Sequence, residues 1–141
     1  MMPVALLKSW LISWSKKLRD KVTMTKKLMT SIKLQKKLHH TMQQRIISDG
    51  YGMRGKSQWI LEAVDRFLQL PDYPSLVDIA VDMEQLTEVV TIRLPEDVMV
   101  KIDGAIIHVR RSYPAMEGVK SNLIRASIVQ RLIRATSVTE D

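Results

Sequence analysis

Between Val89 and Val109 the apolar residues change their period at a single proline. Up to Leu94 they alternate, so that Val90, Ile92 and Leu94 fall on one side of an extended segment and Val89, Thr91 and Arg93 on the other. Pro95 has no backbone N–H to offer a ladder and suits the first turn of a helix, where Glu96 and Asp97 favour the positive end of the helix dipole. From Val98 the spacing is helical, through Ile102, Ala105, Ile106 and Val109. A strand this short has no partner in the next turn of chain. Its partner must come from elsewhere in the sequence, and that requirement constrains the fold more than any bulk property.

The partner is an internal repeat. Downstream of the strand and helix, Tyr113, Pro114 and Gly118 mark a turn, and a second amphipathic helix carries Leu123, Ile124, Ile128, Leu132 and Ile133 inward. Upstream, "GMRGKSQWILEAVDRFLQL" has the same turn-to-helix grammar as "MEGVKSNLIRASIVQRLI". Counting back, Ser31-Ile32-Lys33-Leu34 lies over Thr91-Ile92-Arg93-Leu94. Leu34 to Ser57 is 23 positions and Leu94 to Ser121 is 27, so the first copy lacks four residues, about one helical turn, from its first helix and turn. Leu38, Met42 and Ile46 keep the stripe of that shorter helix. Each copy reads as strand, helix, turn, helix.

Pairing the two strands gives Ile32, Leu34, Ile92 and Leu94 a common buried face, and leaves Met29, Ser31 and Lys33 beside Val89, Thr91 and Arg93 on the open one. Two strands alone are marginal in water, and four amphipathic helices supply the cover. The chain then divides into an N-terminal arm (1–24), a first unit (25–70), a linker (71–87), a second unit (88–136) and a tail (137–141). The linker begins with two prolines and carries Leu76, Ile79, Ala80 and Met83 at helical spacing, which predicts a short helix that returns the second strand antiparallel to the first.

Lys plus Arg number 22 against 15 Asp plus Glu, a formal charge of +7 that suggests an anionic partner. The excess belongs to the first half: up to Ser57 there are 13 basic residues against Asp20 and Asp49 alone. Absence of Cys rules out a disulfide framework, a thiolate metal site and a thiol nucleophile, and makes the cytoplasm the expected compartment. The arm is apolar at Val4 to Leu7 and Trp10 to Trp14, but Lys8 interrupts it well short of the roughly 20 residues a spanning helix needs. It reads as an amphipathic basic segment dispensable for the fold, with Met24 a workable start; such a segment can also lie on a partner or a membrane surface, although no membrane is expected as a main partner.

These residues resemble the ribbon-helix-helix family of DNA-binding proteins, the Arc/MetJ superfamily. "VTIRLPEDV" looks like the family's strand-proline-acid-acid entry to its first helix, and "EGVKSNLIRASI" like the start of its second. The first copy departs from the pattern in having Gln35 where the proline stands. Two units in one chain are similar to the tandem, TraY-like layout found in plasmid conjugation. The resemblance implies an α+β, mainly helical fold: a tandem ribbon-helix-helix whose intramolecular two-stranded antiparallel ribbon packs on four helices. It further implies double-stranded DNA as partner, with the ribbon in the major groove and the second helices gripping phosphates at their N-termini.

The residue chemistry runs parallel to that implication. Arg93 can offer a bidentate fork to guanine, Lys33 a point charge to the same acceptors, Thr91 and Ser31 short hydroxyls, and Val89 and Met29 contacts to thymine methyls. Lys56, Ser57, Lys120 and Ser121 stand beside two helix N-termini, where unpaired N–H groups and the dipole attract phosphate. A bland reading takes Thr91 and Arg93 as the solvated face of an ordinary hairpin; the matching hydroxyl-then-cation order in both copies favours a nucleic-acid face. Trp59 and Phe67 read as core, and the adjacent His39 and His40 point about 100° apart on a helix, which argues against a metal site. No phosphate loop, carboxylate pair or nucleophile with a base is evident, so neither an enzyme nor a cofactor is expected. The expected role is a transcriptional regulator or plasmid-transfer accessory protein that can self-associate on adjacent sites. The alternative is an antitoxin-like or scaffold module that docks a protein through the arm or the linker.

Overall fold

The computed structural model describes residues 26–52 and 54–139; the arm expected over 1–24 lies outside them, as do Glu140 and Asp141. The elements follow in the order β1 (Lys27–Leu34), α1 (Lys36–Ser48), α2 (Lys56–Leu68), α3 (Tyr73–Ala80), β2 (Glu88–Pro95), α4 (Glu96–Ser112) and α5 (Val119–Thr139). The described chain is α+β and mostly helical, with one two-stranded antiparallel sheet. Its order is strand, helix, helix on either side of the short α3.

Alternation explains the sheet. In β1 the buried positions are Ile32 and Leu34, and in β2 they are Val90, Ile92 and Leu94. The ladder sets Ile32 opposite Val90, Ser31 opposite Thr91 and Met29 opposite Arg93. Ile32 and Leu34 therefore share a face with Ile92 and Leu94 without standing directly opposite them. Pro95 closes β2, paired with Lys27, and caps α4 from the residue before its first turn, one position earlier than the sequence spacing suggests. Both strands are sheet edges, so the missing N–H is tolerated there. Gln35 takes the same role for α1, with φ −66° and ψ 145° against −59° and 151° at Pro95. Its side chain donates to the Glu84 carbonyl at 2.8 Å, which holds the linker against the end of β1.

α1 has 13 residues and α4 has 17, a difference of one turn at the C-terminal end. The core lies between the sheet and the helices: Met42, Ile46, Trp59, Ile60, Phe67, Ile102, Leu123, Ile124 and Ile128 are all buried. Each such side chain contributes about 1.5–3 kcal/mol by leaving water. The two second helices, α2 and α5, pack on each other, and α3 packs on α5 and α4. They also cross over: α2 lies against β2 and α5 against β1, so each half's second helix covers the other half's strand.

Some details depart from the periodicity. Ile133, expected inward, is 54% exposed: it lines a groove between α5 and α3 and not the core. Ile79 of α3 is likewise exposed while Ala80 is buried. The tail expected from residue 137 is helical through Thr139, since α5 runs on to that residue. Among the described residues no helix is long and apolar enough to cross a membrane.

Arg131 of α5 fastens α2 in place. It donates to the Trp59 carbonyl at 2.7 Å, to Glu62 at 3.3 Å and to the Tyr51 hydroxyl at 3.1 Å, and its guanidinium lies 4.5 Å from the Trp59 ring centroid. The Trp59 indole N–H donates to Asp49 at 3.0 Å. Burial alone would push the Glu62 carboxyl up, but hydrogen bonds from Tyr51, Arg131 and Gln58, with the Arg131 charge, hold it below its ordinary 4.5.

Two outcomes follow from this packing. Trp59→Ala empties the centre of the core and is expected to lower unfolding stability by about 3–5 kcal/mol in urea titration. Because the folded Glu62 pKa lies below the unfolded one, its share of stability is present above about pH 4.5 and is lost as pH falls through the folded value. Glu62→Gln should therefore flatten the acid limb of the stability profile measured by denaturant titration.

Candidate nucleic-acid interface

Ladder and pleat together place Met29, Ser31, Lys33, Val89, Thr91 and Arg93 on one solvent-exposed face. The rows across the ribbon are Met29 with Arg93, Ser31 with Thr91, and Lys33 with Val89. Ser31 and Thr91 are equivalent in the repeat and opposite in the ladder, so an approximate twofold axis passes between them. Their hydroxyls are hydrogen-bonded to each other at 3.2 Å on that axis. Only one hydroxyl proton of the pair is left to donate outward, a restriction that the sequence alone does not reveal. Lys33 and Arg93 stand at the two ends of one diagonal, about 13 Å apart along the ribbon. Met29 and Val89, at 65% and 63% exposed, fill the other corners.

The outer edges of the ribbon are clamped at the same two residues. The backbone N–H of Arg93 donates to the Ser57 hydroxyl at 3.0 Å. At the equivalent strand position, the Lys33 carbonyl accepts from the Arg125 guanidinium at 3.0 Å. Arg125 also donates to the Asn122 side chain, which donates in turn to the Glu117 carbonyl at 3.1 Å. Arg125 is only 7% exposed, and burial lowers its pKa from the ordinary guanidinium value. The backbone beneath each outward cation is thus fixed by a second helix from the other half. Arg125 was legible in one respect: a cation on the stripe of Leu123, Ile124 and Ile128 has to find a buried acceptor.

Lys56, Ser57, Lys120 and Ser121 occupy the first turns of α2 and α5 and are half-buried. Neither first turn carries an acidic residue, so the N-terminal N–H groups face no internal counter-charge. Gly118, at φ +62°, makes the entry to α5, and a Cβ at Gly55 would collide with the backbone of Tyr51 at the entry to α2. Ser57 differs from the expected role in that its oxygen accepts from the ribbon; its hydroxyl proton remains available. Beyond these residues the first turns of the two first helices carry opposite charge, with exposed Lys26 and Lys27 at the start of the opposite strand beside the acidic one. Exposed Lys36 and Lys37 open α1, and exposed Glu96 and Asp97 stand at the matching places on α4.

Ser57→Ala should cost about 1 kcal/mol of stability and speed amide exchange at Arg93 in particular, whereas Arg125→Ala, which removes a charged donor, should cost about 2 kcal/mol. Hydrogen exchange read by NMR, with urea titration, checks both. No protein-family model, no curated protein and no solved structure matches this chain.

Proposed function

We propose that this chain is a tandem ribbon-helix-helix protein that binds a specific duplex DNA site by laying the β1–β2 ribbon in the major groove. The observation that carries the reading is the single outward row of hydroxyl, cationic and apolar side chains on a ribbon whose edges are clamped. A two-stranded ribbon fits a groove about 12 Å wide. The Lys33 to Arg93 spacing corresponds to roughly four base-pair steps. Arg93 reads guanine through its fork, Lys33 adds a point charge, and Met29 and Val89 meet thymine methyls. Lys56, Lys120 and Ser121 hold phosphates and set register without reading sequence.

The two halves differ in reader, Ser-Lys against Thr-Arg, and in flanking charge, so the preferred site is asymmetric. Lys36 and Lys37 draw the first half onto the backbone, while Glu96 and Asp97 do not. Such a protein serves as a transcriptional regulator or as a plasmid-transfer accessory factor, and extra copies can sit on adjacent sites. The competing reading, a protein-docking module, draws on the apolar groove between α3 and α5, lined by Leu76, Ile79, Met83, Val129 and Ile133. Copurification with a second protein and no retention on DNA at about 0.15 M salt would favour it.

Selection from a random oligonucleotide pool supplies the test duplex. On that duplex the Lys33→Ala/Arg93→Ala chain is expected to lose at least tenfold, about 1.4 kcal/mol, of its preference over a scrambled sequence. Its binding to the scrambled duplex should stay steeply salt-dependent. Unchanged preference would exclude the ribbon as the reader.

A further inference from the structure

Leu76 and Ile79 of α3, with Met83 just beyond it, face Ala126, Val129 and Ile133 of α5 across a groove of about 320 Å³. Ile79 is 68% exposed and Ile133 54%, so two large apolar side chains meet water at its mouth. An apolar groove of this kind, bounded by charge, marks a docking surface. The charge beside it is acidic. Residues 71–87 hold Asp72, Asp78, Asp82 and Glu84 and no basic residue. All four acids are exposed, and among the described residues none of their carboxylates forms an ion pair. Asp78 and Asp82 directly precede Ile79 and Met83 of the groove.

The N-terminal arm has the complementary pattern. Read as a helix, Val4, Leu7, Leu11, Trp14 and Leu18 recur at intervals of three and four and make one apolar stripe. Lys8, Lys16 and Arg19 fall outside that stripe. Residues 1–24 carry Lys8, Lys16, Lys17, Arg19 and Lys21 against Asp20 alone, so a basic segment stands opposite an acidic one. The lengths also agree. Leu76 to Met83, Ala126 to Ile133 and Leu7 to Trp14 each span seven positions, about 10 Å of helix. Lys26 leads directly into β1, and Arg125 of α5 holds the Lys33 carbonyl one helical turn before Val129. Lys27 and Lys33 are about 20 Å apart along the strand. Residues 19–25 extend to about 24 Å, so a helix over 4–18 reaches the groove from the start of β1.

We infer that the groove between α3 and α5 is the seat of the chain's own N-terminal arm, which lies in it as an amphipathic helix. Leu7, Leu11 and Trp14 are its anchors against the apolar walls, and its cations face Asp78 and Asp82. Docking within one chain avoids the loss of translational and rotational freedom that seating a second copy entails. The arm thereby closes the surface on which the protein-docking reading draws. The inference rests on the groove and the arm, not on the ribbon, so it and the DNA reading can fail separately.

Because the chain has no Cys, one cysteine introduced on the polar side of the arm takes a single nitroxide label. In the full-length Ser13→Cys chain, labelled and free of DNA, the NMR methyl signals of Met83, Val129 and Ile133 are expected to be lost, and to return when the nitroxide is reduced. The loss should persist in Lys33→Ala/Arg93→Ala. Ile79→Lys, altered at an exposed position that leaves the core intact, should restore the signals with the nitroxide still oxidised. Undiminished signals in the labelled Ser13→Cys chain would overturn the inference. So would a loss that Ile79→Lys leaves unchanged. A loss seen only when nitroxide-bearing chains are mixed with isotope-labelled, nitroxide-free chains would overturn it too, since the arm would then sit on a second copy.

Discussion

The structure depends on one ladder of hydrogen bonds between segments that lie far apart in sequence. Among the described residues neither β1 nor β2 has a strand neighbour within its own half, and neither can bury its apolar side without the other. Once Ser31 meets Thr91, the register places Ile32, Leu34, Val90, Ile92 and Leu94 together underneath, and the helices close over them. A slip of one residue would turn the apolar side of the slipping strand to solvent. The pairing also decides the upper surface, because the outward set is whatever the inward set leaves over.

The halves share a plan and differ in content. The exchange of second helices, with Ser57 holding Arg93 and Arg125 holding Lys33, makes each strand's outer edge dependent on the opposite half. At the far end, Phe67 and Arg131 occupy matching places and do different work: one seals an aromatic plug, the other ties Trp59, Glu62 and Tyr51 together. An approximate twofold axis therefore organises the backbone without imposing equal chemistry on its two sides.

Much of this was legible in residue order. Alternation at Val90, Ile92 and Leu94, helical spacing from Val98, and the matching Lys56-Ser57 and Lys120-Ser121 steps predict the strands, the helices and the outward row. What was not legible depends on which helix lies over which strand. Ser57 reads as a group beside a helix N-terminus, and only the crossing of α2 onto β2 brings it to the Arg93 amide. Ile133 continues the stripe of α5 in sequence, yet it lines the groove toward α3 and not the core, so a correct period still misplaces it. Gln35 lacks proline's fixed φ and nevertheless takes Pro95's conformation, because its side chain is anchored on the linker at Glu84.

The linker through α3 has a consequence for how the ribbon responds to dilution. A ribbon built from two separate chains comes apart as protein becomes scarce, since its assembly follows mass action. Here the second strand is tethered, and its effective local concentration, of order millimolar for a short connection, does not change with copy number. Each half is also free to mutate on its own, because no residue has to serve both roles at once. A cell holding a handful of molecules would still hold them fully assembled.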